Sequence, residues 1–599
     1  MSEPSDNHIA LICMPWHGLS SPSLGVAVLQ SALRRCGYRC TSHSLFLDFM
    51  AFVSSERIPA RIRLRIEDYF AVSDVWFFDA PGEWVFAAAL REPDARLDRD
   101  YCSSLRRKGM PHRLIRRLAE LRAYVPAFLE ECATRILADR APVVGFTTTF
   151  GQVVASLALA RVIRRRAPAV KIVFGGANCE GAMGAALLRG YPDLVDVVVR
   201  GEGDVALPEL VEALVAGDAI PDLPGICSHA PPSRDDEAAA PARCIPEAVT
   251  AVAMDDVPPP DYTDYFSRLE ELALQTAIVP VLPYESSRGC WWGARSHCTF
   301  CGLNGRLMAH RSKAPDRVLA ELVTLADRHR ALDFTMVDNI IALEYFDSLL
   351  PRLRDSGFHL KLFYQTKSNL SRDQVGRLRD AGVYAIRPGI ESLSTPILRL
   401  MRKGVTGIQN LQLLKWCAEI GVHAAWSVIY GLPGEPAAEY ERMAAVAPLL
   451  MHLAPPSLAR LTLDRFSPYW QDPAAHGLRI RGAPAHFAAL HDLSPELRSE
   501  LTWTFDYELV EGRDPEGYVT PLRRQIEIWR REVHQNRGAL SYRRGPNFVT
   551  IDDRRTMRQD GPRRYVLEDL EAQVYCACDA VATPQHIATR IGGADLERI

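Results

Sequence analysis

The sequence predicts an α/β fold built from two units that follow one another along the chain. Short β-rich runs alternate with amphipathic helical stretches from residue 8 to about 226, and the same alternation returns from 277 to about 470. Residues 227–262 between the two units are rich in Pro, Ala and acidic residues and lack a sustained apolar period, which is typical of linkers. Because alternating strands and helices form parallel sheets, we expect a doubly wound domain followed by a barrel-like domain.

The composition supports several globular domains. The chain has 599 residues, of which 48% are hydrophobic and 24% charged, and this length exceeds what one core usually supports. Its 70 basic and 73 acidic residues give a formal charge of -3 without a long basic block, which argues against nucleic acid as a partner. The sequence has no apolar run long enough for a membrane span and no basic segment before its first apolar run. We therefore expect a cytoplasmic protein that does not bind a membrane.

The first unit, residues 1–226, contains a series of predicted strands. These are "HIALICMPW", "CTSHSLFLDF", "PVVGFTTTF", "VKIVFGGAN" and "VDVVVRGEGD". Helical stretches separate most of them, so we expect a Rossmann-like parallel sheet with helices on both faces. An insertion at about 51–140, between the second and third strands, is helical by periodicity and rich in Trp, Phe, Arg and Glu.

The second unit, residues 263–470, contains six predicted strand–helix repeats, from "TAIVPVLPYE" at its start to "LARLTLDRFSPY" at its end. Repeats of this kind predict a full or partial (β/α)6 barrel, whose active site lies at the carboxyl ends of the strands. Residues 471–599 turn helical and polar, then show a hairpin-like "ALSYRRGPNFVTIDDRR" before a last helical stretch. A small α+β module is expected there.

The fourteen cysteines are too sparse for a disulfide scaffold. Most of them, such as Cys13, Cys36 and Cys132, lie singly in apolar segments. We expect these to be ordinary buried thiols.

Three cysteines form an exception in "YESSRGCWWGARSHCTFCGLNG", residues 284–305. Cys290, Cys298 and Cys301 follow the first barrel strand, where a barrel enzyme assembles its site. One interpretation is a structural zinc site completed by His297 or His310, although zinc modules normally show paired ligands in two halves and no second CxxC follows. Another is an iron–sulfur cluster on three thiolates with one iron left open. Three buried thiols without a metal are the least expected case, because thiols so close together invite oxidation.

This stretch resembles the radical S-adenosylmethionine (radical SAM) superfamily, in which an aromatic residue precedes the last cysteine, as Phe300 does in "CTFC". The spacing CxxxxxxxCxxC departs from the usual CxxxCxxC. The segments "MVDNI", "RPGIESL" and "IYGLPGE" follow on successive strands and resemble SAM-binding segments of the superfamily. The resemblance implies a [4Fe-4S] cluster on the three cysteines and a SAM molecule bound to the open iron. The SAM contacts that it implies are Phe300, Asp338, Asn339, Gln365, Arg387, Glu391 and Tyr430.

Four glycine- and hydroxyl-rich loops end strands or begin helices in the first unit, at 20–25, 147–152, 175–178 and 201–204. A doubly wound sheet binds its ligand at such loops, and composition alone would also allow a nucleotide, although no GxGxxG is present. Placed before a radical SAM barrel, the unit resembles the cobalamin-binding domain of the superfamily's cobalamin-dependent branch. The absence of a "DxHxxG" implies that no histidine serves as lower cobalt ligand. The implied cobalamin contacts are Ser23, Leu24, Gly25, Thr147, Thr148, Thr149, Gly175, Gly176, Asn178, Gly201, Glu202 and Gly203.

The context "SRGCWWG…HCTFCGLNG" is similar to that of cobalamin-dependent radical SAM C-methyltransferases that mature ribosomally made peptides (RiPPs), and the similarity covers about residues 8–470. It implies methylation of an unactivated carbon of a precursor peptide through a 5′-deoxyadenosyl radical and methylcobalamin. It also implies an electron donor such as flavodoxin or ferredoxin, and a C-terminal module that binds peptide. Two alternatives stay open: a cobalamin radical SAM enzyme that cross-links or rearranges its substrate, and a zinc-bearing peptide-binding scaffold. No catalytic side chain is identified from the sequence.

Overall fold

The computed structural model describes residues 7–230, 242–247, 252–305, 307–556 and 561–592. Within them the chain forms two parallel sheets covered by helices, followed by antiparallel sheets toward the carboxyl terminus. The predicted α/β class is therefore confirmed. None of the helices in these ranges combines the length and the apolar character that crossing a membrane needs.

The first sheet has the strand order β2-β1-β3-β4-β5-β6-β7. Its strands are β1 His8–Cys13, β2 Arg39–Ser44, β3 Val143–Thr147, β4 Lys171–Gly175, β5 Val197–Val199, β6 Ile226–His229 and β7 Ala242–Cys244. The first five are parallel and the last two antiparallel. The chain changes direction across the sheet between β1 and β3, and ligands of doubly wound sheets bind above such a switch.

Helices cover both faces of this sheet, and the predicted insertion at 51–140 is helical in the structure. The α-helices of this part are α1 Leu24–Arg35, α2 Leu45–Ser54, α3 Ile66–Phe70, α4 Pro81–Ala87, α5 Ala95–Arg107, α6 His112–Leu121, α7 Val125–Ala138, α8 Val153–Arg166, α9 Ala182–Gly190 and α10 Gly203–Ala216. Short 3-10 or π turns lie at Ala71–Val75, Phe77–Asp79, Arg122–Tyr124 and Ala177–Cys179. The apolar faces of these helices and the buried strands form one continuous core.

A buried carboxylate joins the insertion to the sheet domain. Glu83 on α4 is 5% exposed and accepts a hydrogen bond of 2.8 Å from the backbone N–H of Val154, in the first turn of α8. Burial raises the pKa of Glu83 to about 7. The folded protein therefore holds the Glu83 proton at a pH where the unfolded chain has already released it.

Replacement of Glu83 by Gln should remove a pH-dependent part of the stability. Because the folded pKa lies above the unfolded value, the contribution of Glu83 falls as the pH rises from about 4.5 to about 7, by about 3 kcal/mol in total. The thermal midpoint of the variant relative to the natural protein should therefore be higher at pH 8 than at pH 5. Glu130→Gln on α7 serves as control, because the Glu130 side chain is 46% exposed and pairs with Arg165 at the surface. A Glu83→Gln difference that is the same at both pH values would contradict the prediction.

The first sheet continues into the segment 227–262 that the sequence predicts to be a linker. Part of that segment, 231–241 and 248–251, lies outside the described residues, but β6 and β7 pair at the edge of the sheet. Cys227 and Cys244 face each other in this pairing and form a disulfide. Nothing in the local sequence signals the pairing, because the two cysteines are separated by a Pro- and Ala-rich stretch.

The expectation that cysteines outside the cluster are buried holds for some residues and fails for others. Cys13 and Cys132 are buried, whereas Cys36 is exposed. Cys36 follows the last residue of α1, where the helix ends at the surface. The apolar stretch before it belongs to the buried face of that helix and does not extend to its end.

The second unit is an open barrel of parallel strands. Its strands are β8 Leu282–Tyr284, β9 Ser287–Arg288, β10 Arg311–Ser312, β11 Asp333–Met336, β12 Lys361–Gln365, β13 Val383–Arg387, β14 His423–Ala424, β15 Ser427–Tyr430 and β16 Ser457–Arg460. The parallel order is β14-β13-β12-β11-β8, while β15 pairs with β16 and a bridge from Glu391 to Val428 connects β15 to the end of β13. If β14 and β15 are taken as one interrupted strand, six strand positions result, as the repeats predict. The short β9 and β10 form an antiparallel pair in the cysteine loop.

The helices of this unit are α11 Thr263–Glu271, α12 Trp291–Arg295, α13 Pro315–His329, α14 Leu349–Asp355, α15 Arg372–Asp380, α16 Thr395–Leu400, α17 Gly407–Ile420 and α18 Ala438–Val446, with 3-10 turns at Leu343–Phe346 and Ala447–Leu450. They alternate with the parallel strands and share a second core with them. The carboxyl ends of β8, β11, β12 and β13 therefore meet at one face.

The carboxyl-terminal part contains more strands than the sequence predicts. It comprises β17 Leu463–Asp464, α19 Pro468–Gln471, β18 Leu478–Gly482, α20 Phe487–Leu490, α21 Pro495–Leu501, β19 Thr504–Leu509, α22 Pro515–Asn536, β20 Leu540–Arg544, β21 Phe548–Asp553, β22 Arg563–Glu568, α23 Asp569–Ala577 and α24 Pro584–Arg590. The short strands β18 and β19 lie in a region predicted to be helical, and their pairing depends on contacts that the sequence does not display. The third strand of the terminal sheet, β22, runs directly into a helical segment, which conceals it in the sequence pattern.

Candidate functional site

The three clustered cysteines lie in the loop that follows β8. Cys290 precedes the short helix α12, and its Sγ accepts a hydrogen bond of 3.3 Å from the N–H of Gly293. Cys298 and Cys301 share a turn in which the N–H of Cys301 donates to the carbonyl of Cys298 at 3.1 Å. All three are free thiols of intermediate exposure. Burial raises the pKa of Cys301 to about 12, and the nearby thiols of Cys298 and Cys290 act in the same direction. These thiols therefore lose their protons more readily when a cation binds them.

The donor set fits a polynuclear cluster better than one zinc ion. A structural zinc site needs four ligands around a single ion. Among the described residues, no group of three or more His, Cys, Asp or Glu side chains is arranged to hold one metal ion. His297, one of the two candidate fourth ligands, uses its Nε2 in a 2.8 Å contact with the carbonyl of Cys301. Three thiolates on separate irons, as in an iron–sulfur cluster, do not need to converge on one point.

Asp338, predicted to contact SAM, holds the start of the cysteine loop through hydrogen bonds. It follows β11, is 1% exposed and accepts hydrogen bonds from the N–H groups of Ser286 at 2.8 Å and Ser287 at 3.0 Å. The Ser286 hydroxyl donates to its second oxygen. Burial raises the pKa of Asp338 to about 6. Because both oxygens are engaged, the carboxylate ties the end of β11 to the end of β8.

Asn339 follows Asp338 in the chain, but its side chain contacts a different part of the cysteine loop. Its Nδ2 donates to Oδ1 of Asn304 at 2.5 Å, which links the end of β11 to the residues that follow Cys301. Both asparagines line a large cavity between the two parallel-sheet units. Asn339, predicted to contact SAM, therefore lies in the wall of the cavity that the predicted cobalamin loops line.

Glu391 and Phe300, also predicted SAM contacts, meet at a pair of buried lysines that the sequence did not single out. Lys403 Nζ lies 3.5 Å from Glu391 Oε1 and 6.0 Å from the centre of the Phe300 ring. Lys367 donates to the carbonyl of Lys403 and lies 3.6 Å from the ring centre of Trp292. Burial and the nearby Lys403 lower the pKa of Lys367 to about 8. Burial lowers the pKa of Lys403, but Glu391 and the Cys298 thiol reverse this and leave it raised.

The remaining predicted SAM residues lie at the ends of β12, β13 and β15. Gln365 ends β12, and its carbonyl accepts a hydrogen bond of 2.9 Å from Ile341. Arg387 ends β13 and is exposed. Tyr430 ends β15, but its hydroxyl donates to Glu516 at 2.8 Å and accepts from Arg523, both on α22. The structure therefore turns the Tyr430 hydroxyl toward the carboxyl-terminal helix, away from the proposed SAM contacts.

The two tryptophans inside the widened cysteine spacing attach the loop to the barrel. The indole N–H of Trp291 donates to the carbonyl of Ile341 at 3.0 Å, and that of Trp292 donates to the carbonyl of Arg402 at 3.3 Å. Trp292 also packs on Gly404, where a Cβ atom would lie 2.2 Å from its ring. The extra residues between the first two cysteines thus form α12 and place one indole on each side of the loop.

The cavity between the two units has a volume of about 720 Å³ and lies at the carboxyl edge of the first sheet. Its size is in the usual range of cofactor sites. From the barrel, Ser287, Arg288, Gly289 and Leu307 also line it, so the cysteine loop forms part of its wall. The predicted cobalamin residues that line it are Leu24, Gly25, Thr147, Thr149, Gly175, Gly176, Gly201, Glu202 and Gly203.

Three predicted cobalamin residues do not line the cavity, and two of them hold its loops instead. Thr148 is fully buried, and its hydroxyl donates to the carbonyl of Gly175 at 2.8 Å. Asn178 Oδ1 accepts a hydrogen bond of 2.6 Å from the N–H of Phe150. Ser23 occupies the N-cap position of α1 without a side-chain capping hydrogen bond. The backbone N–H and C=O groups of these loops need hydrogen-bond partners, and some polar side chains of the loops serve as those partners.

Two glycines permit close backbone approaches at this wall. Gly176 has φ +98°, and a Cβ atom there would lie 2.8 Å from the backbone N and O of Thr148. Gly289, directly before Cys290, has φ +79°, and a Cβ atom would lie 2.2 Å from the carbonyl oxygen of Ala309. Only glycine adopts these conformations without strain or collision.

An ion-pair network joins the cavity wall to the cysteine loop. Arg288 on β9 pairs with Asp204 at 2.8 Å and with Glu285 at 2.9 Å. Arg311 on β10 pairs with Glu202, and Glu202 also accepts a hydrogen bond of 3.0 Å from the N–H of Val252. Ion pairs therefore attach the loop at 201–204 of the first sheet to β9 and β10, the two strands on either side of the cysteines.

Residues 284–447 match the Radical SAM superfamily. The matched segment runs from β8 to just past α18 and includes the three cysteines. The predicted radical SAM domain is thereby confirmed, with the [4Fe-4S] cluster and SAM that such a domain implies. Which side chains hold these cofactors stays a prediction.

Curated relatives are similar over about half of the chain. An uncharacterized methyltransferase, PH0819, from Pyrococcus horikoshii is 26% identical over 304 residues, which are 50% of this chain and 62% of the relative. The hopanoid C-3 methylase of Methylococcus capsulatus is 24% identical over 344 residues, 54% of this chain and 59% of the relative. The chain thus spans about three fifths of the length of these relatives.

Solved structures show the same fold at low identity. The cobalamin-dependent SAM radical enzyme OxsB, with aqua-cobalamin and SAM bound, aligns with a TM-score of 0.57 and 13% identity, over 87% of this chain and 66% of that chain. The radical SAM methyltransferase TsrM from Kitasatospora setae, with tryptophan and a SAM analogue bound, aligns with a TM-score of 0.55 and 15% identity, over 87% and 89% of the two chains. These likenesses extend the fold comparison to the first sheet as well as the barrel.

Proposed function

We propose that this protein is a cobalamin-dependent radical SAM C-methyltransferase that methylates an unactivated carbon of a ribosomally synthesised peptide. The observation that carries the proposal is the shared wall: residues 287–289, directly before Cys290, line the cavity above the first sheet. A methyl donor in the cavity and a radical source at the cysteines would then flank one substrate atom. Such an arrangement lowers the barrier by positioning. Both curated relatives carry methyl-transfer names.

The residues of this chain have separate roles in the proposal. When bound, the [4Fe-4S] cluster with SAM supplies a carbon-centred radical, and cobalamin supplies the methyl group. Cys290, Cys298 and Cys301 hold the cluster, while Asp338 fixes the loop that carries them through Ser286 and Ser287. The network around Arg288 holds the two sites in register and excludes water from their junction.

The cavity offers the features that a cobalamin site of this branch requires. Its floor is backbone, with Gly175 and Gly176 at the end of β4 and Gly201 after β5. Among the described residues that line it, none is a histidine. The described lining therefore offers no imidazole to a bound cobalamin.

Gly25→Phe should weaken cobalamin binding without disturbing the fold. Gly25 lines the cavity in the first turn of α1, is exposed, and a Cβ atom there meets nothing within 4 Å. A phenyl ring would occupy space that the cofactor needs, so we expect at least a tenfold loss of affinity for hydroxocobalamin in equilibrium dialysis. Gly376→Phe, an equally open helical position on α15, is the matched control. Equal affinity of both variants and the natural protein would place cobalamin elsewhere.

The peptide part of the proposal draws on the carboxyl-terminal sheet. Within the described residues, β20 and β22 each pair with the central strand β21 and form the two edges of this sheet. Tyr542, Phe548 and Tyr565 are 50%, 41% and 37% exposed on these strands. An extended peptide can add to such an edge through main-chain hydrogen bonds, with side-chain contacts for specificity.

Turnover of the reconstituted protein tests the function. The protein is purified without oxygen, loaded with iron, sulfide and methylcobalamin, and incubated with SAM, a reductant and the precursor peptide encoded beside its gene. We expect 5′-deoxyadenosine, S-adenosylhomocysteine and a peptide heavier by one CH₂ per turnover. Flavodoxin or ferredoxin should replace the chemical reductant. 5′-Deoxyadenosine without S-adenosylhomocysteine, with a peptide of lower or unchanged mass, would instead indicate cross-linking or rearrangement.

A further inference from the structure

Two buried lysines and one carboxylate stand beside the three thiols. Lys367 and Lys403 are 7% and 8% exposed, and lysines are rarely buried without a partner. Lys403 has Glu391 as its ion-pair partner. Within the part of the chain that the structure describes, Lys367 forms no ion pair, and its ammonium group donates to the carbonyl of Lys403. The two ammonium groups and the one carboxylate therefore have a net charge of +1.

The uncompensated ammonium group of Lys367 is held in place by the widened cysteine loop. It lies 3.6 Å from the ring centre of Trp292, a favourable cation–π distance. Trp292 lies in α12, the helix formed by the extra residues between Cys290 and Cys298. Its ring is fixed by the hydrogen bond to the carbonyl of Arg402 and by close packing on Gly404.

The loop that ends at Lys403 is hydrogen-bonded to the cysteine loop on both sides. Thr299, the residue after Cys298, donates from its N–H to the carbonyl of Met401 at 3.3 Å and from its hydroxyl to the carbonyl of Leu400 at 3.1 Å. Trp292, two residues after Cys290, donates to the carbonyl of Arg402. A positive charge in a buried, weakly screened position acts strongly on a nearby anion.

We propose that the inserted helix α12 uses Trp292 to hold Lys367 as the counter-charge of the anionic centre at the cysteines, which is either the cluster with its thiolates or the carboxylate of SAM. The inference rests on the radical SAM site of the proposed function, but it requires neither cobalamin nor methyl transfer. It also gives the long spacing CxxxxxxxCxxC a physical role, because the additional turn places an aromatic ring under a buried cation.

Four variants test the role of Lys367. Lys367→Met keeps the length of the side chain and removes the charge, Lys367→Arg keeps the charge, and Trp292→Leu removes the ring. Lys361→Met is the matched control, because Lys361 starts the same strand and lies 4.5 Å from the ring centre of Tyr384, but it is exposed at the opposite end of the barrel. Each protein is loaded with iron and sulfide, and iron per chain is measured first.

The two possible anions are separated by two measurements on the cluster-loaded proteins. If the cluster is the anion, Lys367→Met lowers the reduced-to-oxidised ratio about tenfold at a fixed potential without SAM, a midpoint shift of about 59 mV for one electron. If the SAM carboxylate is the anion, the midpoint stays constant and the dissociation constant for SAM rises about tenfold. In both cases Trp292→Leu shifts the same quantity in the same direction, while Lys367→Arg and Lys361→Met stay within twofold of the natural protein.

A Lys367→Met protein with full iron content and both quantities within twofold of the natural protein overturns the proposal. If Lys367→Met does not retain iron, Trp292→Leu decides: unchanged values in that variant also overturn it. Failure of methylation in the turnover assay leaves these results unaffected, since they are measured without peptide and without cobalamin.

Discussion

Cys298→Ala is expected to abolish both the cluster and SAM cleavage. Cys298 lies between Cys290 and Cys301 in the loop, and each of the other two thiols is electrostatically coupled to it. With one of three thiolates removed, the cluster loses a ligand, and the adjacent His297 is engaged with the carbonyl of Cys301. The visible absorbance of the reconstituted cluster should disappear together with 5′-deoxyadenosine formation.

The matched control is Cys36→Ala, which removes an exposed thiol at the end of α1. It should retain the iron content, the spectrum and SAM cleavage of the natural protein. SAM cleavage by Cys298→Ala would refute the cluster assignment. One zinc atom per chain in the natural protein, without iron or sulfide, would instead indicate a zinc-bearing peptide-binding scaffold.

Much of the architecture could be predicted because it is encoded locally. Strand and helix periods along the chain indicated two parallel sheets, and the positions of the loops after β3, β4 and β5 followed directly from the strand ends. The order of β1 and β3 in the sheet, and the pairing of β6 with β7, could not be predicted, since strand partners depend on contacts between distant residues. The disulfide between Cys227 and Cys244 depends on that same pairing.

The position of a site residue could be predicted where it depends only on the end of a strand. It could not be predicted where it depends on which distant side chain the residue contacts. Gly176, a predicted cobalamin contact, lines the cavity, whereas Thr148 and Asn178 in neighbouring loops bind backbone groups. Tyr430 ends its strand as predicted, but α22 packs against it from a distant part of the sequence and takes its hydroxyl. Lys367 and Lys403 do not stand out in the sequence because lysine is mostly exposed, and their burial follows from the folded barrel.

Asp338→Ala should destabilise the barrel and loosen the cysteine loop. Three buried donors, two N–H groups of Ser286 and Ser287 and the hydroxyl of Ser286, would lose their acceptor. Buried donors without a partner cost about 1–3 kcal/mol each, so we expect a loss of about 3 kcal/mol or more, seen as a thermal midpoint lower by several degrees. The iron content after reconstitution should fall as well, because the loop that begins at Ser286 carries Cys290.

Two further variants separate the hydrogen bonds of Asp338 from its charge. Asp338→Asn keeps one acceptor oxygen and the side-chain volume, so its loss of stability should be smaller. It should also remove the fall in stability that Asp338 causes between about pH 4 and 6, since the folded pKa of about 6 lies above the unfolded value. Asp333→Ala, at the exposed start of the same strand where Asp333 pairs with Lys361 at 2.8 Å, should cost about 0–1 kcal/mol. If Asp338→Ala loads iron fully and unfolds together with Asp333→Ala, then Asp338 does not hold the loop, and its burial serves the packing of β11 alone.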